Sequence, residues 1–425
     1  RTANFYDASF EELLHKDLPM FSSISLHGIW SWISHENQHI ILQFIRKYLK
    51  PNGIVYISYN CVTGWAANVP IRELFHSHFK FSSTSSNPVQ KVKDALDFSE
   101  ALLTQNPSFA QTNPNALTKV QQLKKQNPNY LIHEYLNQDW QCFSFQQVVR
   151  IMEEVKLSFA SSTNLHHLLT NINLSKEHTE FLDKIEHPVF REQCRDYFTN
   201  TQFRTDLFIR GKNTLTASQV REKIRQSSFV ILSSPSNWPN SICGNLGKFN
   251  LIQEIYAPLG EYFKKTEYQP QLFTDIEKAL PQLSYDQLIN ALVILCQLNL
   301  AQPCQKNVAQ TQLQQAQNLN AHLLTQARFH KNYQVLACAI TGIGINTDHF
   351  QLLFYCAHFV EGHKTAKQFA NFANQVFKDQ NLLVLDKDGN TVTDEEQTLA
   401  IILKHAEEFI DTDKLKIARQ LKLFA

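Results

Sequence analysis

The sequence predicts an α/β domain built on a parallel sheet, interrupted by a helical insertion and followed by two further units in which helix predominates. Three observations carry this expectation. Ile40, Ile41, Phe44, Ile45, Tyr48 and Leu49 recur at helical spacing and make one apolar face. Residues 54–59 read IVYISY, a short β-branched run suited to a strand covered on both sides. With a strand at residues 24–26 before that helix, the order strand, helix, strand implies parallel pairing through a crossover.

The elements follow in order. Ser34 is placed to cap the helix that begins at His35-Glu36. Lys50-Pro51-Asn52-Gly53 is expected to end it and turn the chain into the strand. From 66 to 130 the composition shifts to Ser, Asn, Gln and Lys, with helical patterning over 92–103 and 117–125, which marks an insertion. A helix over 145–154, strand-like alternation over 157–163, a helical stretch around 177–198 and a strand over 203–210 would complete the sheet.

Beyond Gly211 the run Ser233-Ser234-Pro235-Ser236-Asn237-Trp238-Pro239-Asn240 has loop composition. Thr274 and Ser284 are candidate caps of two short helices, and residues 300–303 suit an edge strand, an order that resembles a small winged-helix module. Residues 305–318 are a Gln-rich connector, and Gly342-Ile343-Gly344 is expected to be a loop. The resulting segments are 1–65, 66–165, 166–211, 212–310 and 311–425.

Composition narrows the function. Lys plus Arg number 40 against 39 Asp plus Glu, so no global field draws the chain to nucleic acid or an acidic membrane surface. The eight cysteines are scattered without a CxxC, as in a reduced, cytoplasmic protein. No apolar run approaches the roughly 18 residues that span a bilayer. A start at Arg1 rather than Met leads us to expect a native N-terminus upstream of this sequence.

In open parallel sheets, ligands bind past the carboxyl ends of the strands. Asp7-Ala8-Ser9 would follow a strand at the very start, and His27-Gly28 follows the next. Tyr59-Asn60 follows IVYIS, and Thr163-Asn164 follows LSFAS. Trp30, Trp32, Tyr59 and Trp65 cluster after the second and third of these, where aromatic faces can hold a cation or simply fill a core. His133-Glu134-Tyr135 could close over a ligand or pin the insertion to the sheet. Asp7 could be a surface aspartate and His27 a hydrogen-bonded core histidine. There is no HExxH, GxSxG or Walker loop, and no metal site is expected.

Three stretches carry a family resemblance: LPMFSSISLHGIWSW, LKPNGIVYISYN and NYLIHEYLNQDWQCFSFQQVVRIMEEVKLSF. Together they resemble the bacterial class I S-adenosylmethionine-dependent methyltransferases that carry a methyltransferase regulatory domain. Rickettsial enzymes that methylate lysines of an outer-membrane protein are similar in layout. The resemblance implies a Rossmann-like sheet of order 3-2-1-4-5-7-6, with residues 24–26, 54–59, 157–162 and 205–210 as family strands 4, 5, 6 and 7. Family strands 1 to 3, with their Gly-rich loop, find no counterpart here. Only the C-terminal half of the sheet is expected, so activity belongs to the intact parent protein and this stretch alone is expected to be inactive.

The same resemblance implies S-adenosylmethionine as cofactor, held by Asp7, Ala8, Ser9, His27 and Gly28. It implies catalytic positioning by His27, Tyr59 and Asn60, and substrate contacts from Trp30, Trp32, Trp65, His133, Glu134 and Tyr135. The expected partner is a protein substrate offering lysine, possibly a surface or outer-membrane protein, without nucleic acid or integral membrane contact and with homodimer formation left open. A catalytically silent interaction protein that keeps the fold is the alternative. A DNA-binding winged helix ranks last, because Asp275, Glu277, Lys278 and Asp286 leave that segment without a basic stripe.

Overall fold

The Ser34 hydroxyl accepts a hydrogen bond from the Asn37 amide at 3.2 Å, and the helix His35–Tyr48 starts there as the spacing predicts. In the computed structural model, which describes residues 3–82, 85–386 and 389–425, this helix joins the first two strands of a four-stranded sheet. The chain divides into two units, Arg1–Thr214 with Asn245–Gly247, and Leu215–Gly244 with Lys248–Ala425.

In the first unit, strands β1 (Phe21–Leu26), β2 (Leu49–Asn60), β3 (Leu157–Ser162) and β4 (Phe203–Arg210) lie in the order β1-β2-β4-β3. β1 and β2 are parallel, and β4 runs antiparallel to both of its neighbours. These are the order and directions drawn from the sequence for family strands 4, 5, 7 and 6. The core comprises Leu26, Ile45, Val55, Ile57 and Phe208 with Phe145 and Met152 from the helix Phe145–Glu153.

Two local expectations need correction. Pro51, Asn52 and Gly53 do not form a separate turn but lie inside β2, where the register jumps from Phe21↔Leu49 to Ser23↔Ile54. Asn52 adopts φ 58° there, a bulge that absorbs the extra residues. The helix ends by other means: the Arg210 guanidinium donates to the carbonyls of Ile45 and Leu49, satisfying its last turn. Nor do the described residues before Asp7 form a strand. Residues 3–9 are irregular, and Ser9 instead caps the short helix Phe10–His15 through a reciprocal capping box with Glu12.

The insertion folds as helices that share a small core of their own. Val69–Phe81, Pro88–Thr104, Ala116–Leu123 and Pro128–Leu136 bring together Trp65, Phe75, Leu96, Val120 and Tyr135. Asn127 caps the last of these through its side chain, with Pro128 at the first helical position.

In the second unit, Ser228–Ile231 pairs antiparallel with both Gln271–Leu272 and Ala301–Cys304. Ser284 caps Tyr285–Gln297 as expected, but Thr274 caps nothing: its helix begins at Phe273, and its hydroxyl donates to the Arg225 carbonyl at 2.9 Å. The Gln-rich connector is largely a helix, Gln310–Ala327, because Gln costs little helix propensity and Leu313, Leu324 and Ala327 bury one face. Gly342 and Gly344 belong to a hairpin, Val335–Cys338 with Ile343–Asn346, whose turn uses the φ of 71° at Gly342. Among the described residues no helix is long and apolar enough to cross a membrane.

A fully buried guanidinium joins the parts of the first unit. Arg204 on β4 meets Asp206 at 2.8 Å, Asp196 of the helix Pro188–Thr199 at 2.7 Å and Glu192 at 3.0 Å. Its flat face lies 4.3 Å from the Phe145 ring centre, and the Tyr59 hydroxyl of β2 donates to Asp206 at 2.7 Å. Burial pushes Asp196 up to about 6 against the pull of Arg204, and raises Asp206 likewise.

Removing the guanidinium would strand buried carboxylates, so Arg204→Met is expected to cost about 3–5 kcal/mol of stability at neutral pH. Guanidinium chloride unfolding of the two proteins checks this, and the loss should shrink as falling pH protonates Asp196 and Asp206. An unchanged unfolding midpoint would show that the network is incidental.

Candidate active site

β2 ends at Asn60, and the chain after β1 is tied to that end. The three-residue turn Trp30–Trp32 presents the Ser31 hydroxyl to the Asn60 amide at 2.8 Å, and Gly28 N–H donates to Ser58 Oγ at 2.8 Å. The far end of the insertion returns to the same place. Phe143 N–H donates to the Asn60 carbonyl at 2.8 Å, and Gln141 N–H to the Ser31 carbonyl at 2.8 Å. Because β4 is antiparallel, its first residue, Phe203, pairs with Asn60. Sheet end, turn and insertion therefore meet around one point.

A cavity of about 470 Å³ opens there. Trp32, Trp65, Tyr130, Tyr135 and Phe203 supply aromatic walls, Asn60, Gln126 and Gln202 supply carboxamides, and Glu134 and Lys119 are its charged groups. Tyr130 and Glu134 stand four residues apart on the helix Pro128–Leu136 and so share a face. Trp65 is held edge-on against Trp140 at 4.9 Å and beside Tyr135 at 5.7 Å, and the Arg72 guanidinium lies over Trp140 at 4.4 Å. The buried indole N–H groups of Trp32 and Trp65 have no hydrogen-bond partner among the described residues.

The electrostatics of this cavity centre on Glu134. Burial pushes its carboxyl above the usual range, while the Asn60 carboxamide, His133 and Arg72 pull it part of the way back. Burial also raises the Tyr135 hydroxyl and lifts the neighbouring Cys142 thiol to about 12, so neither is ionised at neutral pH.

The residues singled out from sequence fall into three groups. Trp32, Asn60, Trp65, Glu134 and Tyr135 line the cavity together, and His133 packs edge-on against Trp32 at 5.8 Å. Trp30 and Tyr59 do not reach it. Both are fully buried in the sheet's core, where Trp30 packs near Phe143 and Tyr59 holds Asp206. His27, Gly28, Asp7, Ala8 and Ser9 lie elsewhere. His27 is exposed at the end of β1 with Nδ1 3.0 Å from the Tyr56 hydroxyl, Asp7 is exposed, and Ser9 is a helix cap flanked by partly exposed Ala8.

Lys119, Leu123, Gln126, Tyr130, Gln202 and Phe203 are lining residues that sequence reasoning missed. A signal existed for two of them. A strand expected to run antiparallel begins where its parallel neighbours end, so the residues opening β4 belong beside Asn60.

Comparison with known proteins converges on one family. Residues 127–210 match the family model described as a predicted methyltransferase regulatory domain. An uncharacterised protein of Synechocystis, sll1526, is 32% identical over 426 residues, covering 99% of this chain and 81% of that protein. The Rickettsia prowazekii protein RP789 is 27% identical over 211 residues, covering 49% of this chain and 37% of its own length. Among solved structures, PKMT2 from Rickettsia typhi in complex with AdoHcy aligns over 98% of this chain and 83% of that one, with a TM-score of 0.67 at 19% identity. The strand order, the regulatory-domain match and the Synechocystis relative agree: the chain belongs to the class I S-adenosylmethionine-dependent methyltransferases that carry a methyltransferase regulatory domain.

Proposed function

We propose that this protein transfers methyl groups from S-adenosylmethionine to amine side chains of a protein substrate, with lysine as the acceptor. The observation that carries the reading is the cavity at the end of β2, where aromatic faces surround the single carboxylate of Glu134. Aromatic rings attract a cation by roughly 0.5–2 kcal/mol each, and an adjacent carboxylate adds a direct charge partner. That combination suits an ammonium group. The AdoHcy in the Rickettsia typhi PKMT2 structure is what remains of S-adenosylmethionine once its methyl group has left, which supports the cofactor assignment.

Residues before and after β1 in the chain suit such a cofactor. Gly28 stands at φ 64° with open space where a side chain would begin, so a ligand can approach its backbone. Asp7 and His27 are both exposed and able to contact polar groups of a nucleoside. When bound, S-adenosylmethionine supplies an electrophilic methyl group on a sulfonium.

The protein's own task is to deliver a neutral amine to that methyl in line. Glu134 and the aromatic walls draw the ammonium in, and the apolar surroundings disfavour its charged form. A proton leaves the ammonium, with the burial-raised Glu134 carboxylate as its first acceptor. The neutral amine would then be free to accept the methyl carbon that bound S-adenosylmethionine supplies, whose sulfur would leave as a neutral thioether. Asn60, fixed by Ser31 and Phe143 on its backbone, orients the acceptor beside Glu134. In the second unit, the order of the helices Phe273–Ala279 and Tyr285–Gln297 and the strand Ala301–Cys304 supports a winged-helix-like reading, used here for substrate selection.

Calorimetry on the full-length protein should show S-adenosylmethionine binding, and mass spectrometry should show lysine peptides gaining a methyl group. No heat at saturating cofactor would favour a silent interaction protein and sink the enzyme reading. Glu134→Gln is expected to lower kcat/KM for a lysine peptide by about 10²-fold, the low end of general-base effects. The wild-type rate should fall as pH drops through the raised pKa of Glu134, giving an acid limb above the ordinary carboxylate range. Glu134→Gln should remove that limb, and a limb that persists in the variant would assign the titration to another group.

A further inference from the structure

A second cavity of about 470 Å³ adjoins the first, and Lys119 lines both. Three chain segments pass from one chamber to the other. Gly64 lines the second and Trp65 the first, Asn200 the second and Gln202 the first, and the helix Ala116–Leu123 runs along both. The two chambers are therefore consecutive stretches of one groove.

Its floor is rigid. Cys61 N–H donates to the Gln202 carbonyl and Gly64 N–H to that of Thr201, both at 2.9 Å. The backbones are so close that a Cβ on Gly64 would stand 2.4 Å from Gln202 Cα. The helical wall is anchored from behind by Val120, fully buried in the core of the insertion. A groove fixed in this way needs little ordering when a ligand arrives.

The two chambers differ in chemistry. The second has no aromatic residue and no carboxylate in its lining, and Asn68, Asn113, Asn115, Gln122 and Asn200 contribute carboxamides, of which those of Asn68 and Asn113 already donate to the Gly64 and Phe109 carbonyls and leave their oxygens to accept. A carboxamide both donates and accepts, which matches the alternating N–H and C=O groups of an extended backbone. Lys119 is the only charged residue of this chamber, and it makes no ion pair among the described residues.

We propose that the second chamber binds the extended polypeptide flanking the acceptor lysine, and that Lys119 selects an acidic side chain close to that lysine. The proposal rests on the amine-binding reading of the first chamber. It adds the class of substrate, an unfolded or loop segment in which lysine has an Asp or Glu neighbour, and the residue that discriminates it.

Two peptides of about twelve residues test it, each with one lysine and differing only in whether the residues flanking it are Asp or Arg. Their binding to the full-length protein is measured by fluorescence anisotropy, and their methylation in the presence of S-adenosylmethionine is followed in parallel. The acidic-flanked peptide is expected to bind about fivefold more tightly, the scale of one partly exposed charge pair. Lys119→Glu should invert the ratio of the two dissociation constants, a readout that general loss of folding would not produce. Equal affinities in both proteins overturn the groove, whether or not the peptides are methylated. Preferential binding of the acidic peptide without methylation of any amine supports the groove and overturns the methyl-transfer reading instead.

Discussion

The Arg204 guanidinium, buried between β4, the Pro188–Thr199 helix and the Phe145 ring, is the constraint from which the geometry of the first unit follows. A charge taken out of water must be matched on nearly all sides, and here three carboxylates and an aromatic face do so. The carboxylates outnumber the cation. Burial accordingly lifts Asp196 and Asp206 toward protonation, which relieves their mutual repulsion while Arg204 remains charged. Tyr59 extends the network into β2, so β2, β4 and two covering helices are held in one register by polar contacts of fixed direction.

That register places the site. With Asp206 opposite Ile57 and Phe203 opposite Asn60, the start of β4 cannot slide away from the end of β2. Phe203, and Gln202 just before it, thereby become part of the cavity wall, although β4 runs away from it. The insertion docks on the same spot through Phe143 and Gln141, so the aromatic residues of the helix Pro128–Leu136 face a surface whose position the sheet has already set. Tyr59 illustrates the division of labour. It precedes the cavity residue Asn60 by one position, and strand alternation turns it into the core, where it serves the Arg204 network.

This alternation also explains how much could be read from the sequence. The periodic parts were legible, namely the His35–Tyr48 helix with its Ser34 cap and the strand β4 from Phe203 to Arg210, and the family resemblance implied the order of the four strands. Features set by tertiary contact were not. Lys50-Pro51-Asn52-Gly53 has the composition of a turn, yet pairing with β1 and the Arg210 cap draw it into a bulged strand. The Gln-rich segment lacks apolar periodicity strong enough to announce a helix, and three or four buried contacts suffice to make one. At the site, Trp32, Trp65 and Glu134 could be nominated as residue types, but Lys119 and Gln126 could not, because only the packing of the insertion brings them to the cavity.

For the proposed reaction, the presence of one carboxylate rather than two has a physical reason. A unit charge pair at 4 Å with an effective dielectric near 20 attracts by roughly 4 kcal/mol, equivalent to about three pKa units. A lysine ammonium against a single carboxylate is thus bound well but also held in its protonated, unreactive form. A second carboxylate would double that obstacle. The aromatic walls attract the cation more weakly, each by a fraction of the ion-pair energy, and being apolar they also favour loss of the proton. Glu134, moved by burial toward a higher pKa, narrows the gap between proton donor and acceptor from its own side. A cage of several rings and one half-buried acid therefore captures an amine while leaving the proton transfer within reach.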